Sequence, residues 1–231
     1  MIVPNHLAVI VDGNRRWARK NGLPVSVGHR EGAKKLIKFI KWCLELKIPQ
    51  ISVYALSLEN LEKRSKKEIN DLFDLFMEYF QKLERDPDIL DKYEVRVRFF
   101  GDFKKLPPAL VKIMKRIMAK TAKYQKKILN ILIAYSSYFE LTHVINKIVK
   151  KIINSGKIQI SKKDVQNNLL ISTPVDLVIR TGGYSRLSNF LLLQSAYAEL
   201  YVVPKLWPDF TKNDLVKAIK WYNSVERKFG K

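Results

Sequence analysis

Six short runs rich in β-branched and aromatic residues alternate with longer stretches of helical period along this 231-residue chain. Parallel strands need long connections, and a helix is the usual one, so the alternation predicts an α/β fold with a central, mostly parallel six-stranded sheet covered by helices. The expected strands are His6-Asp12, Gln50-Leu56, Val95-Gly101, Ile128-Tyr135, Val175-Thr181 and a short run near Leu200-Val203. Most are apolar on both faces, as strands sandwiched between helices are. Helices are expected over Arg30-Leu46, Ser65-Arg85, Pro107-Tyr124, Tyr138-Asn154, Ser188-Tyr197 and Thr211-Lys228, bounded by prolines, glycines and Ser/Thr starts. In the second of these, Leu72, Phe73, Leu75, Phe76, Tyr79, Phe80 and Leu83 form a broad stripe. Ordinary core packing accounts for it, and so does a helix facing both the sheet and a second apolar surface. With no repeat, linker or low-complexity tract, residues 1–231 read as a single domain.

Charge narrows the partners. Forty-three lysines and arginines stand against 22 acidic residues, a formal net charge of +21. Nucleic acid, an anionic membrane or a small phosphorylated substrate would each satisfy such a field. Many lysines, Lys34, Lys35, Lys38 and Lys41 among them, fit a solvated helix face. No nucleic-acid module and no basic surface interleaved with stacking aromatics is evident, so no nucleic-acid partner is expected. Cys43, the sole cysteine, sits in the apolar pattern of a helix and reads as a core residue. No apolar run approaches the roughly 20 residues that cross a bilayer, and no signal peptide is recognisable, so a cytoplasmic location is expected, with room for peripheral contact at an anionic membrane.

Ligands of open α/β sheets bind beyond the carboxyl ends of the strands. There the chain carries Asp12-Gly13-Asn14-Arg15-Arg16-Trp17, then Ser57-Leu58-Glu59-Asn60, then Arg180-Thr181-Gly182-Gly183-Tyr184-Ser185-Arg186-Leu187-Ser188-Asn189. Asp12 is a hard oxygen ligand suited to Mg²⁺, while Asn14 and the arginines are donors suited to a diphosphate. Arg180 and Arg186 flank two glycines, and Ser188 as a helix start would add free N–H groups to a second anion site.

These segments, together with Gly28-His29-x-x-Gly32, Tyr54-Ala55-Leu56-Ser57-x-Glu59-Asn60, Ala198-Glu199-Leu200-Tyr201 and Trp207-Pro208-Asp209-Phe210, resemble the undecaprenyl diphosphate synthase family of cis-prenyltransferases. The resemblance runs in order from His6 to Gly230. It implies a non-Rossmann fold with a hydrophobic tunnel, usually a homodimer, that adds isopentenyl diphosphate to an allylic prenyl diphosphate of the farnesyl or geranylgeranyl class. The product would be a longer polycis-prenyl diphosphate, a precursor of a glycosyl-carrier lipid. Asp12 would position Mg²⁺ and assist departure of the allylic diphosphate, and Glu199 would also belong to the metal site. Gly13, Asn14, Arg16, Trp17, His29, Ser57, Glu59 and Arg64 would form the allylic side; Arg180, Arg186 and Ser188 would hold isopentenyl diphosphate. Asn60 joins Asp12 as a catalytic candidate, although a diphosphate oxygen or water could equally accept the proton.

Several positions depart from the family. Val25 stands where a diphosphate-binding arginine is usual, leaving Arg15, Arg19 or Arg30 to compensate. An inserted residue in Asn60-Leu61-Glu62-Lys63-Arg64 shifts the expected arginine to Arg64, which keeps its spacing to Glu68. Tyr135-Ser136-Ser137-Tyr138 replaces a glycine pair and an arginine, and Tyr184-Ser185 an acidic or metal-associated pair. Lys228-Phe229-Gly230 replaces an Arg-x-Gly that often supports the neighbouring subunit. A non-catalytic subunit of a hetero-oligomeric enzyme is the alternative; such subunits typically lose the Asp-Gly-Asn-x-Arg motif, intact here.

Overall fold

The computed structural model describes residues 2–85, 87–156 and 158–226. In chain order the elements are β1 (His6–Ile10), α1 (Asn14–Lys20), α2 (Val25–Glu45), β2 (Gln50–Ser57), α3 (Leu58–Lys63), α4 (Lys66–Arg85), α5 (Asp88–Tyr93) and β3 (Val95–Phe100). There follow α6 (Pro108–Thr121), β4 (Lys127–Tyr135), α7 (Ser137–Ser155), α8 (Lys162–Asn168), β5 (Leu177–Thr181), β6 (Glu199–Val203) and α9 (Lys212–Ser224). The six strands form one sheet in the order β3-β4-β2-β1-β5-β6, and every pairing is parallel.

Strand side chains alternate between two buried layers. Leu7, Val9, Ile51, Val53 and Ile131 enter the larger core, whereas Ala8, Ile10, Tyr54, Leu132 and Val178 enter a smaller one with Phe190 and Leu191. β3 is an edge strand, yet its edge is not open. Val97 N donates to Thr121 Oγ1 at 3.1 Å and Phe99 N to Met118 Sδ at 3.5 Å, so α6 covers donors that would otherwise invite another strand.

All six expected strands form. The short helices α1, α3, α5 and α8 were not expected, because six or seven residues are too few to display a periodic stripe. α2 begins at Val25 rather than near Arg30, so His29 lies inside the helix and does not cap it. The expected helix Ser188-Tyr197 is absent. Ser188, Asn189 and Leu191 take positive φ values of 50°, 64° and 46°, which an α-helix cannot accommodate. The apolar pattern there instead buries Phe190 and Leu191, and Ser137 anchors the segment through Oγ to Asn189 O (3.1 Å) and from Leu192 N (3.0 Å). The last helix ends at Ser224; Lys228 and the Lys228-Phe229-Gly230 departure lie outside the described residues.

Three polar side chains cross the sheet interior. His6 Nε2 lies 2.6 Å from Ser52 Oγ, which accepts from Asn130 Nδ2 at 2.9 Å, while His6 Nδ1 donates to Pro174 O at 3.0 Å. Burial pushes the His6 imidazole down to about 4. Between pH 6.5 and about 4 the unfolded chain binds a proton there that the folded one refuses, so stability is full above pH 6.5 and falls as pH drops through that window. The loss should reach about 3 kcal/mol near pH 4. Urea unfolding of the wild type and of His6→Gln across this range checks it: the variant, less stable at pH 7, should show the shallower slope.

Candidate active site

The neighbouring strands β2, β1 and β5 deliver their following loops to one place, since Ile10 is in register with both Tyr54 and Arg180. The Asp12 carboxylate there accepts from Arg16 Nη2 at 3.2 Å and Arg180 Nη2 at 2.8 Å. The Arg180 side chain is only 5% exposed, and its Nη1 donates to Ser188 Oγ at 2.8 Å and to Arg186 O. Gly182 permits this assembly: at φ 85° it presents its carbonyl to Arg16 Nη1 at 2.9 Å, and a Cβ there would meet Arg16 Nη2 at 2.3 Å. The Tyr184 ring lies 4.8, 5.7 and 4.1 Å from the guanidinium carbons of Arg16, Arg180 and Arg186, so its negative face is shared by three cations.

A second cluster forms around Glu68 at the start of α4. Its Oε1 lies 3.1 Å from His29 Nε2, 3.3 Å from Arg64 Nη1 and 3.6 Å from Arg15 Nε. Burial, first of all, lowers the His29 pKa from 6.5, leaving the ring neutral at pH 7. Arg64 thus joins this cluster. Lys63, although it lines the same cavity, does not. Arg15 and Arg19 also line the cavity, whereas Arg30 is paired with Glu78 at 2.8 Å away from it and cannot stand in for the arginine missing at Val25. The Nε groups of Arg15, Arg64 and Arg180, all donors, and the acceptor Oδ1 of Asn14 are buried without a hydrogen-bond partner among the described residues. Unsatisfied arginine donors of this kind at a cavity wall suit an anion.

Gly28 and Gly32 explain their spacing. A Cβ at Gly28 would meet Asn14 O at 2.3 Å, and one at Gly32 would meet Asn14 Oδ1 at 2.3 Å, so these two glycines let α1 and its Asp-Gly-Asn turn lie directly on α2. Ser57 caps α3 by accepting from Asn60 N at 3.0 Å, and Glu59 Oε1 accepts from Asn189 Nδ2 at 2.7 Å, tying the loop after β2 to the segment after β5. Asn60 lines the cavity beside them.

Both clusters open into one cavity of about 1360 Å³. Its deeper wall is apolar, built from Leu36 and Ile40 of α2, Phe76 and Leu83 of α4, Ile89 of α5 and Ile131 of β4. The broad stripe of α4 is thereby accounted for: Leu72, Leu75, Phe76, Tyr79, Phe80 and Leu83 all reach the cavity. From Glu68, which braces the lining residues Arg15, His29 and Arg64, to Leu83 the helix rises about 22 Å.

Two expected site residues are not brought here. Trp17 donates through Nε1 to Asp209 Oδ1 at 2.8 Å, tying α1 to the turn Trp207–Asp209 without lining the cavity; Trp207 lines it instead. Glu199 begins β6 opposite Leu177, at the end of the sheet remote from Asp12, so the two carboxylates cannot share an ion within one chain. Two contributors were not expected, Glu68 and Asn189. The first was masked by its spacing, since Ser65-x-x-Glu68 reads as a helix-capping pair and Ser65 Oγ does accept from Glu68 N. Cys43 is fully buried, and desolvation raises its pKa far from that of a nucleophile.

Known proteins resemble this chain in sequence and in fold. The family model described as "Putative undecaprenyl diphosphate synthase" matches residues 10–230. An isoprenyl transferase of Thermotoga maritima is 41% identical over 232 residues, covering 100% of this chain and 98% of its own. A tritrans,polycis-undecaprenyl-diphosphate synthase (geranylgeranyl-diphosphate specific) of Pyrococcus horikoshii is 40% identical over 235 residues, covering 100% and 88%. Among solved structures, lavandulyl diphosphate synthase from Lavandula x intermedia, in complex with dimethylallyl diphosphate, superposes with a TM-score of 0.93 at 28% identity over 99% of each chain. With a family match over nearly its whole length and a cavity whose polar mouth and apolar depth suit a prenyl diphosphate, the chain belongs to the undecaprenyl diphosphate synthase family, the cis-prenyltransferases.

Proposed function

We propose that residues 1–231 are one catalytic domain that condenses isopentenyl diphosphate with an allylic diphosphate of the farnesyl or geranylgeranyl class, making a polycis-prenyl diphosphate that serves as a glycosyl-carrier lipid precursor. The carrying observation is the Asp12 carboxylate joining Arg16 to Arg180 at the mouth of a deep apolar cavity. The allylic C1–O bond breaks as the double bond of isopentenyl diphosphate adds to that carbon, and a proton leaves the adjacent carbon of the added unit to give the new double bond. Charge accumulates on the departing diphosphate, so the side that binds it must hold it more tightly as it leaves. Arg16, Arg15, Arg64, His29 and the turn at Gly13-Asn14 do this; Ser57, Glu59 and Asn60 shape the adjoining wall. Arg180, Arg186 and Ser188 orient the second diphosphate.

Mg²⁺ fits the donor set. It is commonly held by one or two carboxylates together with substrate phosphates, and Asp12 is a partly exposed carboxylate beside both phosphate sites. When bound, the ion would offset charge on the leaving diphosphate. The assembly is a homodimer: Tyr138, Leu141, Ile145 and Val149 make an exposed apolar stripe along α7 that a second copy would cover. Among the described residues no helix is long and apolar enough to cross a membrane, and the reading is a cytoplasmic enzyme that works peripherally at an anionic membrane. The non-catalytic subunit is disfavoured by the intact Asp12-Gly13-Asn14-x-Arg16 geometry.

The test is to give the purified protein Mg²⁺, labelled isopentenyl diphosphate and allylic primers of increasing length, and to size the products. A folded protein inert with every primer would overturn the reading. The same assay checks the depth of the cavity. Growth must stop when the chain meets the floor, so Leu83→Trp should shift the products shorter and Leu83→Ala longer, each by one or more isoprene units.

A further inference from the structure

The largest charge asymmetry of the chain lies outside the active site. Between Asp102 and Glu140 there are nine lysines and arginines and no acidic residue. α6 carries the middle of this stretch. Its inward residues Leu110, Ile113, Met114 and Ile117 are buried, which leaves Lys112, Lys115, Arg116 and Lys120 together on the outward face. Three of the nine are paired: Lys105 with Glu62, Arg116 with Glu84 and Lys126 with Glu94. Lys104, Lys112 and Lys115 have no carboxylate partner among the described residues, and all three rim a single groove. Its floor is Phe103, Leu106, Pro108 and Val111.

Lysines around an apolar floor differ from the α7 stripe, which carries no such charged rim and suits protein. They match a surface that is anionic above and oily beneath. The face also has a place relative to the cavity, because Arg116 Nε binds Glu84 Oε1 at 2.6 Å and Lys120 Nζ binds Glu84 O at 3.1 Å. Glu84 adjoins Leu83, which lines the deep end of the cavity.

We propose that the outward face of α6, with the groove before it, docks the enzyme on an anionic bilayer. Lys104, Lys112 and Lys115 meet lipid phosphates, Phe103 and Val111 sit at the level of the first acyl carbons, and the deep end of the cavity is held beside the membrane. This locates the peripheral contact of the proposed function and rests on that reading. Nucleic acid is the poorer fit, since a single-stranded site offers several stacking rings and this groove has one.

The experiment is co-sedimentation with phosphatidylcholine vesicles, with and without phosphatidylglycerol, at physiological ionic strength. The wild type should bind only the anionic vesicles. Lys104→Glu/Lys112→Glu/Lys115→Glu should lower the partition coefficient on the order of a hundredfold, given the attraction of each basic side chain to an anionic leaflet. A variant of equal net charge altered elsewhere, Lys38→Glu/Lys217→Glu/Lys220→Glu, should bind nearly as the wild type does. Equal losses in the two variants, or none in the first, would overturn the docking face, and so would a wild type that ignores the vesicles or prefers single-stranded RNA at the same salt. Turnover of a soluble primer without vesicles should be unchanged in both variants, and that readout separates a failure of docking from a failure of the enzymatic reading.

Discussion

Asp12→Ala is expected to lower turnover on the order of 10³-fold or more while leaving isopentenyl diphosphate bound. Among the described residues the carboxylate is the only acidic group contacting both Arg16 and Arg180, and it is the group that would hold Mg²⁺ against the leaving diphosphate. Removing one preorganised electrostatic group from a reacting centre costs about 10² to 10³ in rate, and loss of the ion adds to it. The same change leaves the nearly buried Arg180 without its carboxylate, and breaking such a pair costs about 3–5 kcal/mol in stability. The two effects are separable. Diphosphate should restore much of the thermal stability, because it supplies the missing negative charge, whereas activity should stay lost. Asp12→Asn, which keeps the shape, should melt closer to wild type and be comparably inactive. Melting curves with and without isopentenyl diphosphate, with single-turnover rates, test this; a variant retaining a tenth of the wild-type rate would remove Asp12 from the chemistry.

Gly28→Ala should be strongly damaging although it sits in a helix, where alanine is worth about 1 kcal/mol over glycine. The added Cβ would fall 2.3 Å from Asn14 O and 2.9 Å from Ala18 Cβ. Neither can rotate away, since one is backbone and the other a methyl fixed to it. Overpacking costs about 1–3 kcal/mol or more, so crowding outweighs propensity and α1 must move off α2. That movement carries Asn14 and Arg16 with it, and a displacement near 1 Å at a reacting centre can cost about 10²-fold. Urea unfolding should show the lost stability, and the allylic KM should rise more than that for isopentenyl diphosphate, because Arg180 and Ser188 belong to β5 and the segment that follows it. Equal stability and unchanged KM would disprove the close-contact account of this glycine.

Local pattern and chemistry carried a large share of the result. Strands of five to nine residues, most with apolar side chains on both faces, read as buried parallel strands, whose carboxyl ends are where ligand residues gather. Asp12, Arg16, Arg180 and Ser188 were legible for that reason, being attached to strand ends that the hydrophobic pattern itself locates. The helix expected at Ser188-Tyr197 misled because its apolar spacing is genuine but is used to bury Phe190 and Leu191 from a non-helical chain.

What only the tertiary structure decided is which of these groups touch. Glu68 meets His29 across 39 residues, and Asp12 meets Arg180 across 168. Trp17 turned outward to Asp209, and Glu199 fell at the far end of the sheet from Asp12 because it opens β6, which runs parallel to β5 and starts level with Leu177, whereas Asp12 follows the carboxyl end of β1. The sequence by itself determined the layers, the polar loops and the family, since these follow from short-range periodicity and from residue types at strand ends. Contacts between distant segments depend on sheet register and on the angle at which each crossover helix returns, and those are settled only when the whole core packs at once.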